Sequence, residues 1–258
     1  MSGFRPTNTG IPNLGNTCYI NTAIQCLSHV PIMKVSVIDN QQSNGLASTL
    51  RNLFKNMESK HALTAFQSSL PSEYRQGTQQ NLGGFLEYLI YNVQTLKDNT
   101  TCEMKCKEVC LKNNTHMRVD TSVTNYMRFV IRSQNFKVSE LFSSVKHKNC
   151  RECGCESRIS HSRTFTTSPA VLILDVKYST GVTFDGEYDL SDRMIKLNDG
   201  CEYRLMSVAY HVDFGNNNGH FYAICRVGGK WVKFNDNTTE TVDILPKKNS
   251  YILFYQRC

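Results

Sequence analysis

A single cysteine, Cys18, closes a loop of small polar residues in the stretch GIPNLGNTCYIN, residues 10–21. The residues after it have helical spacing, with Ile20, Ala23, Ile24 and Leu27 at i, i+3, i+4 and i+7. Pro31 marks the expected end of that helix. Cys18 is therefore expected in the first turn, where unpaired N–H groups and the positive end of the helix dipole favour an anion. A thiol held there ionises more readily, and the thiolate is the nucleophile of thiol chemistry. The competing reading is a structural cysteine in a core, a frequent fate of this residue type.

A thiol nucleophile needs a base and an orienting group, and both are usually distant in sequence. Of the seven histidines, His220 has the most suggestive setting: it follows a Gly/Asn loop, residues 215–219, and opens an apolar run. Gly228 and Gly229 then separate two such runs, as a tight hairpin turn does. With those two glycines as the turn, Val227 faces Lys230, Tyr222 faces Asn235, and His220 faces Asn237. His220 and Asn235 are then diagonal neighbours on one face. Asn235 can accept a hydrogen bond from the imidazole and fix its tautomer. A bulge in the hairpin would put Asp236 in that place instead.

These residues need a scaffold, and the pattern around them predicts one. Leu46, Leu50, Leu53, Phe54 and Met57 form one helical stripe; Phe85, Leu86, Leu89, Ile90, Val93 and Leu96 form another. Both are core faces. The stretch from Ser68 to Asn81 is polar and rich in turn residues, and Asn99 to Val119 is expected to be a polar loop or excursion. From about Phe136 the pattern becomes one of strands: residues 170–176, 205–212, 221–227, 230–234 and 251–255. A helical half followed by an antiparallel half is an α+β architecture. It is expected as a single domain over 1–258, with a helical half to about 130 and a strand-rich half over about 131–258.

The composition bounds the chemistry. The chain has 258 residues, 40% of them hydrophobic, enough for a proper core. It carries no apolar run of membrane-span length and nothing resembling a signal peptide. Eleven cysteines, an odd number spread over a long chain, argue for thiols, metal ligands or a nucleophile rather than a disulfide framework. A net charge of +7 with scattered Lys and Arg fits a solvated surface, not a nucleic-acid site. An intracellular protein, in cytoplasm or nucleus, is expected.

The motifs together resemble those of the ubiquitin-specific proteases. GIPNLGNTCYINTAIQCL is similar to the cysteine box of that family, and residues 205–236, LMSVAYHVDFGNNNGHFYAICRVGGKWVKFND, resemble its histidine box. The matching positions of the latter are His211, Gly219, His220, Phe221, Trp231, Phe234, Asn235 and Asp236. Residues 169–174 and 251–255 are similar to two further palm strands. The resemblance implies a papain-like fold of helical thumb, antiparallel palm and fingers, here shortened. It implies a thiol hydrolase that cleaves after the C-terminal glycine of ubiquitin or a ubiquitin-like modifier, with Cys18 as nucleophile, His220 as base and Asn235 as orienting residue. Asn13 takes the oxyanion-hole position with the Cys18 N–H as second donor, and Asp236 a supporting one.

Two departures from the family pattern stand out. Gln79, Gln80, Asn81 and Gly84 fall on a segment that in the family meets the modifier's tail, together with His211 and Gly219. There the family has Asp and Glu where this chain has Asn81 and Gly84, so the acids that meet tail arginines are absent. The family also uses two CxxC pairs for one structural zinc. Here Cys150 and Cys153 match the first pair and the second is missing. Cys102, Cys106 and Cys110 have the four-residue spacing of a helix face, so the expectation is a relic pair without zinc and no required cofactor. The expected partner is a ubiquitin or ubiquitin-like conjugate met by a monomer, without nucleic acid or membrane. The alternatives are a catalytically silent module that binds such modifiers, or a protease for a modifier other than ubiquitin.

Overall fold

A computed structural model describes residues 9–41, 45–75, 77, 79–131, 138–178, 193–215, 218–246 and 249–258. Phe136, where the sequence pattern changes, lies outside the described residues, as do Asn216 and Asn217 of the Gly/Asn loop and Gln76 and Thr78 of the turn-rich stretch.

The helices come first: α1 (Cys18–Ser28), α2 (Pro31–Asp39), α3 (Gly45–Lys55), α4 (Lys60–Ser68), α5 (Ser72–Arg75), α6 (Leu82–Asn92) and α7 (Gln94–Thr100). The first apolar stripe holds: Leu50, Leu53, Phe54 and Met57 are buried and Leu46 packs against them. The second stripe is buried from Phe85 to Leu96 but crosses a break. Val93 is extended, ending α6 and preceding α7. Periodicity survives the break because both helices face the same core. Pro31 opens α2 rather than merely closing α1; its ring presets φ for a first helical residue and it has no N–H to lose there. All eleven residues of α1 are buried, as a helix enclosed on every side must be.

The strands are β1 (Cys102–Cys110), β2 (Asn113–Thr124), β3 (Met127–Ile131), β4 (Ser143–Asn149), β5 (Glu156–Thr167), β6 (Val171–Tyr178), β7 (Met194–Lys196), β8 (Glu202–Gly215), β9 (Asn218–Val227), β10 (Lys230–Asn235), β11 (Thr238–Val242) and β12 (Ser250–Arg257). The larger sheet runs β11-β10-β9-β8-β12-β6-β3, with β7 added to β8. Its pairings are antiparallel except β3 with β6. One face, including Ile173, Ala209, Phe221, Ala223 and Phe254, packs on the helices. The other, including Leu174, Val208, Tyr210, Ile224 and Tyr255, covers a second core. Ser207 of β8 donates to the Cys26 carbonyl at 2.9 Å and anchors α1 on the sheet.

The smaller sheet, β2-β1-β5-β4, corrects the sequence reading. Residues 102–124 are two paired strands, not a loop, and the helical part ends at Thr100 rather than near 130. β2 is exposed or half-exposed along its whole length; Met117, Val119, Thr121 and Val123 alternate there with charged and polar residues, the period-2 rhythm of a strand, which the polar composition of the segment masks. Cys102, Cys106 and Cys110 share one face because even spacings do so in a strand. Among the described residues no helix is long and apolar enough to cross a membrane.

Candidate active site

The loop before Cys18 is organised around one side chain. Asn13 Oδ1 accepts from the Gly15 N–H at 2.9 Å, the Thr17 N–H at 3.3 Å and the Thr17 hydroxyl at 3.1 Å. Gly15, at φ 100°, and Asn16, at φ 54°, give the left-handed turn that makes this convergence possible; glycine adopts that conformation without penalty. Asn13 Nδ2 donates one hydrogen to Asp236 Oδ2 at 2.8 Å. An amide nitrogen has two hydrogens, so one N–H remains, held in a fixed direction beside the start of α1. Thr17 spends its hydroxyl on Asn13 and Leu14 and makes no side-chain cap to α1. Cys18 is the first helical residue, as its spacing predicts.

The hairpin follows the predicted register. Gly228 and Gly229 have φ of 56° and 88°, the positive pair that a tight I′ turn needs. Val227 lies opposite Lys230, and the ladder runs without a bulge to Ala223 opposite Phe234. His220 Nε2 and Asn235 Oδ1 are 2.5 Å apart. A carbonyl oxygen only accepts, so Nε2 carries the proton and Nδ1 keeps its lone pair. The pairing of His220 with Asn237 does not form. Asp236, at φ 51°, turns the chain after Asn235 into β11, where Asn235 pairs with Thr238.

The thiol departs from the sequence expectation. Cys18 is only 4% exposed. Burial pushes its pKa up; the backbone N–H groups of Phe221, Tyr19 and Cys18 pull it down but do not prevail, and the Asp236 carboxylate pushes it further up. The helix start does favour the anion, yet desolvation of a charge in this pocket outweighs it. The resting group is a neutral thiol beside the backbone of Phe221, the residue after His220.

The chain therefore brings an amide-lined loop, a buried thiol at a helix start and a strand carrying a His–Asn pair together where α1 meets the sheet. The model of the family described as ubiquitin carboxyl-terminal hydrolase matches residues 9–255. The chain belongs to this family.

Two curated relatives are distant in sequence. The chain is 23% identical to the probable ubiquitin carboxyl-terminal hydrolase 16 of Schizosaccharomyces pombe, over 98% of this chain and 67% of that protein. It is 23% identical to the human ubiquitin carboxyl-terminal hydrolase 17-like protein 11, over 99% of this chain but 57% of that protein, so the chain spans little more than half of the human relative's length. Among solved structures, the Ubp8 deubiquitinating module bound to monoubiquitin superimposes with a TM-score of 0.76 at 18% identity, covering 97% of this chain and 69% of that one. The same module bound to ubiquitin aldehyde gives 0.76 at 16% identity. The fold is the α+β, papain-like fold of this family, and the class of the family is cysteine-type ubiquitin carboxyl-terminal hydrolase.

The other predicted residues of this hydrolase fall into two groups. Gln79 reaches the sheet: its amide nitrogen donates to the Gly219 carbonyl and its oxygen accepts the Gly219 N–H at 3.3 Å. Gln80 turns away, donating to the Glu73 carbonyl at 3.0 Å. Asn81 caps α6, accepting the Gly84 N–H at 3.0 Å, and donates to the Tyr251 hydroxyl at 3.1 Å. Gly84 is open: a Cβ there would meet only Asn81 Oδ1, at 3.9 Å. His211 packs on Phe221, ring centroids 4.3 Å apart, and leaves no space at Gly219, where a Cβ would sit 2.2 Å from His211 Nε2. Burial holds the His211 pKa below its ordinary value, which favours the neutral ring packed on Phe221.

In the smaller sheet, Cys150 and Cys153 do not stand alone. Cys110 at the end of β1 and His116 on β2 join them, with all four ligand atoms within 4.8 Å of one another. The relic reading rested on a missing second pair; in the fold, the β1–β2 hairpin places two further donors beside Cys150 and Cys153. Cys102 and Cys106, on the same strand face, are not part of the group. Cys110 and Cys150 are almost fully buried. The hydrogen bond with Ser157, helped by the N–H groups of Asn113 and Lys112, outweighs burial and brings the Cys110 thiol down to about 6. The only sequence signal for this arrangement is Cys110 followed six residues later by His116, a spacing outside the usual zinc motifs.

Proposed function

We propose that this chain cleaves the bond after the C-terminal glycine of a ubiquitin-type modifier by thiol catalysis, with Cys18 as nucleophile, His220 as base, Asn235 as its orienting partner and Asn13 as oxyanion donor. The observation that carries this is the His220 Nε2 to Asn235 Oδ1 bond. It leaves Nδ1 as the nitrogen that takes the thiol proton. The Cys18 sulfur then attacks the glycine carbonyl carbon while His220 takes its proton. The developing oxyanion receives the free Asn13 N–H and the Cys18 backbone N–H. The imidazolium returns the proton to the departing amine, and a water, activated by the same imidazole, hydrolyses the thioester. Asp236 supports the step by holding Asn13. Because burial raises the thiol pKa, this route starts from a neutral thiol and transfers its proton during attack, rather than from a standing ion pair.

Ubiquitin as the modifier is supported by the solved relative bound to monoubiquitin. A second reading has its own observation. The helix start that carries Asn81 and Gly84 has no acid in its first turn and open space at Gly84, and Glu87, next along the helix, is engaged by Arg128. A charge-assisted hydrogen bond contributes roughly 1.5–3 kcal/mol, so a modifier without tail arginines would lose nothing at this pocket. A panel of modifier probes with an electrophilic C-terminus tests both. Labelling by the ubiquitin probe supports the first reading, labelling only by another modifier supports the second, and labelling by none overturns the proposal and leaves the silent binding module.

Zinc is the metal whose chemistry fits Cys110, His116, Cys150 and Cys153. Three thiols and an imidazole form a complete structural set, and Zn–S bonds of about 2.3 Å give a tetrahedron with edges of about 3.8 Å, within the observed spread. The bound metal would pin the β1–β2 hairpin to the β4–β5 turn and take no part in bond cleavage. About one zinc per chain is expected from elemental analysis of purified protein, and His116→Ala should reduce its retention during dialysis against a chelator. Purified chains without zinc, taking none up when it is added, would sink this assignment.

An intracellular setting is supported by eleven free cysteines, which suit a reducing compartment.

A further inference from the structure

Asn21 lies one helical turn beyond Cys18 on α1 and is 2% exposed. Its Nδ2 donates to Asp236 Oδ1 at 2.8 Å and lies 3.3 Å and 3.2 Å from the carbonyl oxygens of Ile11 and Pro12. Those three acceptors belong to two separate segments: the loop ahead of the nucleophile, and the turn that follows Asn235. The other Asp236 oxygen is the one that receives Asn13 Nδ2. The backbone repeats the tie, since the Ile11 N–H donates to the Asp236 carbonyl at 2.8 Å. At Gly10 a Cβ would sit 2.5 Å from that same carbonyl oxygen. Nucleophile helix, oxyanion loop and β10–β11 turn thus meet at one buried amide.

Packing alone does not account for an amide at this position. Asn21 Oδ1 is buried without a hydrogen-bond partner among the described residues, a cost that an apolar side chain in the same place would not carry. What the amide supplies is Nδ2. With two amides on its two oxygens, the Asp236 carboxylate has one orientation. Remove the Asn21 donor and the carboxylate is free to rotate, taking the Asn13 amide with it.

We propose that Asn21 is a positioning residue for the oxyanion hole: through Asp236 it fixes the Asn13 amide so that its free N–H points at the carbonyl under attack. This rests on the reading of Asn13 as oxyanion donor. The test measures kcat and KM on a ubiquitin C-terminal fluorogenic amide for the unmodified chain, Asn13→Ala, Asn21→Ala and the double variant. Asn21→Ala is expected to lower kcat about 10- to 100-fold with KM within about twofold, a fraction of the effect of deleting an oxyanion donor outright. In the Asn13→Ala background the same change should cost less than about threefold, because two residues acting through one group are not additive. Asn21→Asp guards against a folding failure. At pH 8 its carboxylate would repel Asp236, and protonation would restore a donor, so its deficit relative to the unmodified chain should shrink toward pH 6. Additive losses, a loss confined to KM, or a deficit that ignores pH would each overturn the inference. A chain with no turnover of any modifier fails the functional reading instead. In that event the Asn13 side-chain amide resonances of ¹⁵N-labelled protein still decide: they should shift in Asn21→Ala, and unchanged resonances overturn the coupling.

Discussion

Cys18→Ala is expected to abolish turnover and covalent labelling by a modifier probe while leaving the melting temperature within a few degrees. No other group at the site can form the thioester, so the loss should approach the ~10⁶-fold seen when a protease nucleophile is removed. The fold should tolerate the change. Cys18 contributes one small buried side chain at the first position of α1, whose other ten residues remain enclosed, and alanine is a good helix former. Undiminished labelling of the variant would move the nucleophile elsewhere, Cys26 or Cys225 being the nearest buried thiols on α1 and β9. The unmodified thiol gives a second reading of the same site. A neutral thiol becomes reactive only as pH rises through its pKa, and both burial and the Asp236 charge move that pKa upward. Alkylation by iodoacetamide should therefore titrate above the range of an ordinary cysteine. Asp236→Asn removes one upward influence, so at pH 8 it should speed alkylation; slower alkylation would contradict the electrostatic account.

The parts of this site that were legible in the sequence are those set by local rules. Cys18 begins a helix because the apolar spacing begins after it, and the loop before it turns where Gly15 and Asn16 permit. The hairpin register follows from two glycines, and with it the meeting of His220 and Asn235, residues fifteen apart in sequence. Local rules stop at Asp236. Its positive φ turns the chain into β11 after Asn235, and although Asn235, Asp236 and Asn237 are all turn formers, nothing local says which of them turns. The charge state of Cys18 was misread for a different reason. Helix-start electrostatics are visible in sequence, but the burial that outweighs them comes from the packing of α1 on every side, and the Asp236 charge adds to it from far along the chain. The Cys/His cluster was hidden in the same manner. Cys150 and Cys153 stand close together in the chain, whereas Cys110 and His116 join them through the pairing of β1 with β5, a long-range contact. β2 alternates Met117, Val119 and Val123 with polar residues, but none of them is buried, so the segment reads as polar overall. The substrate segment divides similarly: the capping role of Asn81 is a local pattern, while the reach of Gln79 to Gly219 crosses to the sheet.

His220→Ala should lower kcat/KM by about 10³- to 10⁴-fold, the upper range for loss of a general acid–base, and His211→Ala by less than about tenfold. Both histidines lie in the same pair of strands and both are half-buried, so sequence position does not distinguish them; their partners do. His220 meets Asn235 Oδ1, which presets one tautomer and leaves Nδ1 for the thiol. His211 meets Phe221 at 4.3 Å and Tyr251 at 6.1 Å, and its ring fills the space beside Gly219. Burial keeps His211 neutral at working pH, so no charge is lost with it. Removing it opens a gap behind the Gly219 backbone that Gln79 holds, which should raise KM more than it lowers kcat. Removing His220 leaves that backbone in place and takes away the group oriented to accept the thiol proton, so its loss should fall on kcat. The experiment is a pair of steady-state profiles with melting curves for both variants. Equal losses in two folded proteins, or a loss in His220→Ala that appears only in KM, would assign the base to another residue and reduce the His220–Asn235 bond to a structural tie between β9 and β10.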